Sequence, residues 1–499
     1  MYAPRPLVRR SCVRRGIART AALVPLLAAV ASSAAAQSAL PRFERADCLV
    51  NGDWASDVRR ECGWLVVRES RDRPSPNVVR LAVEVFRARE PSGAPALVLL
   101  HGGPGGPGGI RLYSAGIARS SFPRSRDVVV YDQRGAGLSE PRLCPAYDRT
   151  ADSVYALRES AGTIAALRES RRACIAELHA KGIDRLAYNT SASAADLVDL
   201  RRTLGYASWD VRASSYGARL AQELMLRDGP ALHAVVLASP VGRGVPVGAE
   251  QPMSTQRAFE RVFAACAAQA ACHEAFPDLE ADFYSAYDAL SASAVGVAVP
   301  GRTDTVRLDG AHLVAGLREM TQDRARMERI PLVVHELRSG DRLRAAREIV
   351  GNASAPRTLA GRAMRELVTC YDAYGPAFLA ALDSINSLVR PPFRRVRERE
   401  CEEWLPRFAG PSARVPVRSD VPTLIMTGYF DDRTPTTQAR RIAATLGRAF
   451  VVELPDEAHD ARPSPCDAAI VNRFLQEPTR MPDSSCIATI PAVAFATTW

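Results

Sequence analysis

Val211-Arg212-Ala213-Ser214-Ser215-Tyr216-Gly217 decides the reading of this 499-residue chain. The run sets a small-x-Ser-x-Gly core between an apolar stretch and an apparent helix, the sequence form of a nucleophile elbow. Such a turn holds a serine hydroxyl at the head of a sheet. Ser215 is preferred over Ser214 because only Ser215 has glycine two positions later, where a tight turn most needs a missing side chain. The usual leading glycine is Ala213 here, a small residue still. Short Ser-x-Gly patterns recur by chance, and a hydroxyl is a poor nucleophile at neutral pH. The elbow therefore has chemical meaning only with an imidazole and an orienting carboxylate. Asp431 and His459 supply both, in the order Ser, Asp, His.

The flanking sequence has the rhythm of a sheet. Trp64-Leu65-Val66-Val67 and Val78 to Val85 read as strands, and Ala96-Leu97-Val98-Leu99-Leu100 is a continuous apolar run of the doubly buried kind. That run opens into His101-Gly102-Gly103-Pro104-Gly105-Gly106. A further strand, Asp127 to Tyr131, opens into Asp132-Gln133-Arg134-Gly135-Ala136-Gly137-Leu138-Ser139. Helical spacing follows from Ser191 to Leu204, stopped by Gly205, and then a strand at Trp209 to Ala213. After the elbow come a helix at Ala218 to Arg227 and a strand at Ala234 to Ala238. This alternation implies a parallel sheet covered on both faces.

From Val241 to Val415 the rhythm breaks. Helix-like segments dominate there, at Gln256 to Ala271, Leu279 to Ala292, Ala311 to Met320 and Thr358 to Ala373. The sheet pattern resumes with Thr423 to Gly428, a helix capped by Thr434-Pro435, and a strand at Phe450 to Leu454. The expected class is α/β, a mostly parallel central sheet with helices on both faces and an inserted helical lid. Residues 37–240 form the first part of the core, 241–415 the lid, and 416–499 the second part.

Each member of the constellation has a plainer reading. Asp431 lies three residues past Gly428 in a strand-to-helix loop, where aspartates also serve as turn formers, and Asp432 is its neighbouring rival. Of seven histidines, His459 alone follows a strand and loop placed after the candidate acid. His101 opens the glycine loop and is expected to shape it. Backbone N–H groups of Tyr216 and Gly103 are placed by motif to hold a developing oxyanion. A phosphate loop is the rival reading of Gly102 to Gly106, but its Lys-Ser/Thr end is absent. Asp132 to Ser139 is assigned a structural role.

Met1 to Arg19 holds six arginines and no acid, Thr20 to Val30 is apolar beyond Thr20, and Ala34-Ala35-Ala36 fits a cleavage site. Residues 1–36 thus read as a secretory signal peptide, too short and too Pro25-interrupted for a membrane anchor. The six arginines carry six of the ten net positive charges, which leaves +4. No nucleic-acid partner is implied, and nothing speaks to oligomeric state. Ten cysteines remain, an even set that favours disulfides in an exported protein. The simplest pairing joins sequence neighbours: Cys48 with Cys62, Cys144 with Cys174, Cys266 with Cys272, Cys370 with Cys401, and Cys466 with Cys486. A zinc site is the alternative, but no C-x-x-C spacing occurs and no metal is expected.

These motifs together resemble the secreted tripeptidyl aminopeptidases, grouped with prolyl aminopeptidases in the α/β-hydrolase superfamily. The resemblance rests on His101 to Gly106, Asp132 to Ser139, Asp196-Leu197 with Leu204-Gly205, Ser215-Tyr216-Gly217, and Asp431 with Thr434-Pro435. Cys370-Tyr371-Asp372, Cys401-Glu402-Glu403-Trp404, and Cys466 through Phe474-Leu475, Pro482, Cys486 and Phe495 narrow it. It spans roughly Cys48 to Phe495 and is weakest in the lid. It implies cofactor-free, serine-dependent cleavage of peptide bonds near a free N-terminus, with Ser215 as nucleophile, Asp431 as orienting acid and His459 as base. Ala213, Asp432, Arg433 and Ala458 depart from the family pattern. Binding a substrate ammonium calls for carboxylates, and Asp372, Glu402 and Glu403 are the candidates. An esterase, or another hydrolase acting on a small acyl substrate, is the alternative.

Overall fold

The continuous apolar runs become the middle of a nine-stranded sheet. A computed structural model describes residues 40–499 apart from 52–57, 120–121, 158–160, 244–249, 299–304, 340, 354–360, 374–383, 386–388, 391–397, 407–413 and 460–463. The signal-peptide reading of 1–36 lies outside the described residues. The strands are β1 (Arg42–Arg45), β2 (Arg60–Arg68), β3 (Val78–Phe86), β4 (Ala96–Leu100), β5 (Val128–Tyr131), β6 (Trp209–Ser214), β7 (Leu232–Ala238), β8 (Val295–Ala298), β9 (Thr305–Leu308), β10 (Thr423–Gly428) and β11 (Ala449–Leu454). The sheet order is β1-β2-β3-β5-β4-β6-β7-β10-β11. β1, β2 and β3 pair antiparallel, β3 meets β5 antiparallel, and every pair from β5 onward is parallel. Parallel strands need helical crossovers on both faces, which is why β4 is buried at all five positions. Its side chains divide by the two-residue period: Ala96, Val98 and Leu100 join one core cluster, Leu97 and Leu99 the cluster on the opposite face.

This is the α/β-hydrolase architecture expected from the sequence, with the helices Thr190–Thr203, Tyr216–Asp228 and Thr436–Ala443 as its crossovers. Helices of the core that went unread include Gly109–Arg119, Pro145–Leu157, Ala161–Ala180 and Pro465–Gln476. Alanines interleaved with charges dominate Ala161–Ala180, so its sequence carries little apolar periodicity. The two-stranded hairpin β8–β9 inside the insertion also went unread, because its strands are four residues each.

The insertion after β7 packs in two places. Helices Gln251–Ala267, Leu279–Ala292, Gly310–Met320, Ile330–Ser339 and Arg342–Ala353 share one apolar cluster, built on Phe259, Phe283, Leu313 and Val333. Helices Arg362–Ala373 and Glu398–Trp404 instead pack Met364, Leu367 and Trp404 against Leu143, Tyr147 and Tyr216. The C-terminal stretch, placed with the core by sequence, also joins the insertion. Val493 and Phe495 sit in its first cluster, Ala496 N–H donates to Glu328 O at 2.9 Å, and Gln269 Nε2 donates to Val493 O at 2.6 Å.

All five sequence-neighbour disulfides are present: Cys48–Cys62, Cys144–Cys174, Cys266–Cys272, Cys370–Cys401 and Cys466–Cys486. Five such bridges point to an oxidising compartment, extracellular or periplasmic. Among the described residues, no helix is long and apolar enough to cross a membrane.

Candidate active site

Ser215 stands between the last residue of β6 and the first of the helix Tyr216–Asp228, with φ 53° and ψ −119°. A side-chain-bearing residue at positive φ is strained, and such strain persists only where the surroundings enforce it. Here Ser215 N–H donates to Ala238 O at 2.9 Å, while Ser215 O accepts from Ala218 at 3.0 Å and Val241 at 3.1 Å. Gly217 is required by close approach: a Cβ there would lie 2.5 Å from Leu100 O. The elbow thus needs its trailing glycine to let the helix start against the end of β4.

His459 Nε2 lies 2.9 Å from Ser215 Oγ, and its Nδ1 lies 3.1 Å from both oxygens of Asp431. Neither the imidazole nor the carboxylate is open to water, with side-chain exposures of 3% and 0%. Asp431 also accepts from Arg433 N–H at 2.8 Å, Thr434 N–H at 2.8 Å and Thr434 Oγ1 at 2.7 Å. Burial raises its pKa, but the facing His459 charge and the hydrogen bonds from His459 and Thr434 outweigh it, so the carboxyl titrates below its ordinary range. An ionised Asp431 fixes the proton on Nδ1 and leaves the Nε2 lone pair facing the serine hydroxyl. Three residues from distant parts of the chain are therefore joined in one hydrogen-bonded line.

Thr434 corrects an expectation. The helix Thr436–Ala443 has Pro435 at its cap and no capping side chain. The Thr434 hydroxyl instead faces Asp431, Ser239 O at 2.9 Å and His459 Nδ1 at 3.1 Å. Its place three residues after the acid was the available signal. Asp432, the rival carboxylate, points away: its buried side chain accepts from Arg318 Nε at 2.7 Å and from Gln322 Nε2.

The glycine loop lies directly on the elbow. A Cβ on Gly102 would be 2.9 Å from Ser215 Cβ and 3.4 Å from Oγ, so only glycine leaves that hydroxyl clear. Gly103 follows with φ +129°. His101 is buried and its pKa falls to about 4 because desolvation disfavours the charged ring. Neutral at working pH, it donates from Nδ1 to Gly102 O at 2.8 Å and braces the loop. Asp132 ties the neighbouring turn, accepting from Ile110 N–H at 3.0 Å and Leu138 N–H at 2.7 Å. Arg134 is fully buried and forks onto Asp196 at 2.7 and 2.6 Å. These are scaffold contacts, in line with the structural role read for Asp132 to Ser139. The helix Arg362–Ala373 roofs the loop, since a Cβ on Gly105 would lie 2.0 Å from Gly361 O.

The three candidate ammonium ligands fall in different settings. Asp372 is buried, accepts from Thr190 Oγ1, and lies 3.8 Å from Arg219 Nε. Its pKa is raised, chiefly by desolvation, against the pull of Arg219 and Thr190. Thr190 Oγ1 in turn lies 2.8 Å from Tyr216 Oη, so Asp372 is linked to the residue beside Ser215. Glu403 accepts from Arg171 Nε at 2.9 Å, and Glu402 is exposed. Thr190 and Arg219 carry no sequence motif and were not anticipated.

The geometry defines a class, and sequence comparison agrees with it. The family described as "alpha/beta hydrolase fold" matches residues 95–461, and the chain belongs to that family of hydrolases. Solved structures to which the chain is similar include an esterase from Thermogutta terrifontis at 16% identity and TM-score 0.36, covering 84% of this chain and 99% of that one. A proline iminopeptidase-related protein from Thermus thermophilus stands at 17% identity and TM-score 0.34, covering 81% of this chain and 91% of that one. Epoxide hydrolases from metagenomes of hot environments stand at 15% and 0.36, covering 81% and 95%. At these values the likenesses distinguish no substrate. No curated protein matches the chain.

Proposed function

We propose that the protein is an exported serine hydrolase, an aminopeptidase that releases short N-terminal peptides or residues through an acyl-enzyme on Ser215. The observation that carries the chemistry is the unbroken line Ser215 Oγ, His459 Nε2, His459 Nδ1, Asp431 at 2.9 and 3.1 Å. His459 takes the hydroxyl proton as Oγ attacks the carbonyl carbon, and Asp431 stabilises the imidazolium that forms. The oxyanion meets the backbone N–H groups of Tyr216 and Gly103, an interaction whose loss costs roughly 3 to 4 kcal/mol of transition-state stabilisation. His459 then protonates the leaving amine. Water, activated by the same imidazole, returns Ser215 free. No cofactor enters these steps. Export through cleavage of residues 1–36 belongs to the same proposal.

The peptide specificity rests on the resemblance of the motifs to tripeptidyl aminopeptidases. Asp372 and Glu403 already hold protein partners and Glu402 faces water, which favours, as second reading, an esterase acting on small acyl substrates. Fluorophosphonate labels the wild type and not Ser215→Ala, whose kcat falls by roughly 10⁶-fold. Free tripeptide amides are hydrolysed and their N-acetylated forms are not. Equal turnover of both, or turnover of short esters alone, would remove the aminopeptidase reading.

A further inference from the structure

The two loops that carry Asp431 and His459 are gripped on their outer sides by the insertion. Phe430, immediately before Asp431, is 3% exposed, and Ala458, immediately before His459, is 7% exposed; both belong to the insertion's apolar cluster. Each loop also offers an acid to an insertion cation. Arg318, in the helix Gly310–Met320, donates from Nε to Asp432 Oδ2 at 2.7 Å, and Gln322 donates to the other oxygen. Arg433 adds a contact to Glu319 Oε1 at 3.3 Å. Arg324, in the short helix Arg324–Met327, reaches Asp456 Oδ2 at 2.5 Å, and its other nitrogen reaches Pro491 O and Ala492 O at 3.2 and 3.1 Å.

The placement is alternating. Asp431 faces the imidazole while its neighbours on either side face the insertion, so any slide of the insertion turns the carboxylate. Asp456 fixes the loop three residues before the imidazole in the same way. We propose that Arg318 and Arg324 are positioning residues, which hold the acid loop and the base loop at the spacing that aligns His459 between Asp431 and Ser215. The proposal rests on Ser215, Asp431 and His459 being the triad. Neither arginine touches the reacting atoms; each acts through a loop. Misplacing a catalytic group by about 1 Å costs up to about 100-fold in rate, which sets the scale of the effect.

The test uses the full chain with Arg318→Met, Arg324→Met and the pair Arg318→Gln/Asp432→Asn, which replaces the ion pair by a neutral hydrogen-bonding pair. Fluorophosphonate labelling rates, kcat and KM on whichever substrate the wild type turns over, and melting curves are measured on the same samples. Arg318→Met and Arg324→Met are expected to lower kcat and the labelling rate about 10- to 100-fold with KM within about 3-fold, and the neutral pair to recover to within about 5-fold. Should Arg318→Met fail to fold because the buried Asp432 loses its closest cation, Arg324→Met and the neutral pair decide the matter. Labelling at the wild-type rate in folded Arg318→Met or Arg324→Met, or a rise in KM with kcat intact, overturns the proposal. Failure of the wild type to label at all sinks the triad reading instead, so the two failures are distinct.

Discussion

A single missing methyl keeps Ser215 Oγ open. Gly102 stands so close to Ser215 that alanine there would put carbon 3.4 Å from Oγ and 2.9 Å from Cβ. Gly102→Ala is expected to lower kcat about 100-fold and to lower the melting temperature as well, because the methyl crowds Ser215 Cβ and displaces the elbow. Steady-state kinetics beside a thermal melt checks this. Glu457, two residues before His459, makes a separate prediction. Burial raises its pKa from an ordinary 4.5 to about 8, the negative charges of Asp467 and Asp456 add to the rise, and Arg212 opposes it. The folded state therefore keeps this proton while the unfolded chain gives it up near 4.5. The stability it contributes is full below that pH and is lost as pH rises through about 8. Glu457→Gln removes the dependence, so urea melts at pH 5.5 and 9 should differ less for the variant than for the wild type, with the variant the more stable at pH 9.

At the scale of elements, the helix Arg362–Ala373 is held over the glycine loop by an acid from far away in sequence. Asp148 Oδ1 accepts from Arg362 N–H at 2.8 Å and Ala363 N–H at 3.3 Å, an N-terminal cap supplied across 214 residues. Asp148→Ala is expected to cost about 1 kcal/mol in urea denaturation, the usual worth of a cap. What sequence could and could not disclose follows the same division. Strands such as Ala96–Leu100 and Val128–Tyr131 were legible because burial on both faces demands unbroken apolar runs. Ser215, Asp431 and His459 were legible because each falls in the turn or loop that follows a strand, β6, β10 and β11 in turn. Asp148, Thr190, Arg318 and Arg324 were not, since an acid or arginine that meets its partner across the fold leaves no local pattern. Thr434 was read as a cap and turned out to brace the acid.

Across the whole molecule, the last ten residues bind the insertion to the core. After the helix Pro465–Gln476 and the Cys466–Cys486 bridge, the chain crosses to the insertion, buries Val493 and Phe495 there, and sets Trp499 4.4 Å from the Arg344 guanidinium. Phe495, 8% exposed, is expected to cost about 3 kcal/mol on replacement by alanine, read as a fall in melting temperature. Because the effect is confined to one lobe, limited proteolysis of Phe495→Ala should cut within 251–353 before it cuts the sheet. Residues 241–415 look in sequence like a cassette, bounded on both sides by strands of the sheet. The cassette is incomplete. A chimera that grafts those residues onto a relative's core would arrive with an uncovered apolar furrow and empty carbonyl partners, unless 490–496 travelled with it. The exchangeable unit in this protein is two pieces of chain, and recombination that respects only the first breaks the second.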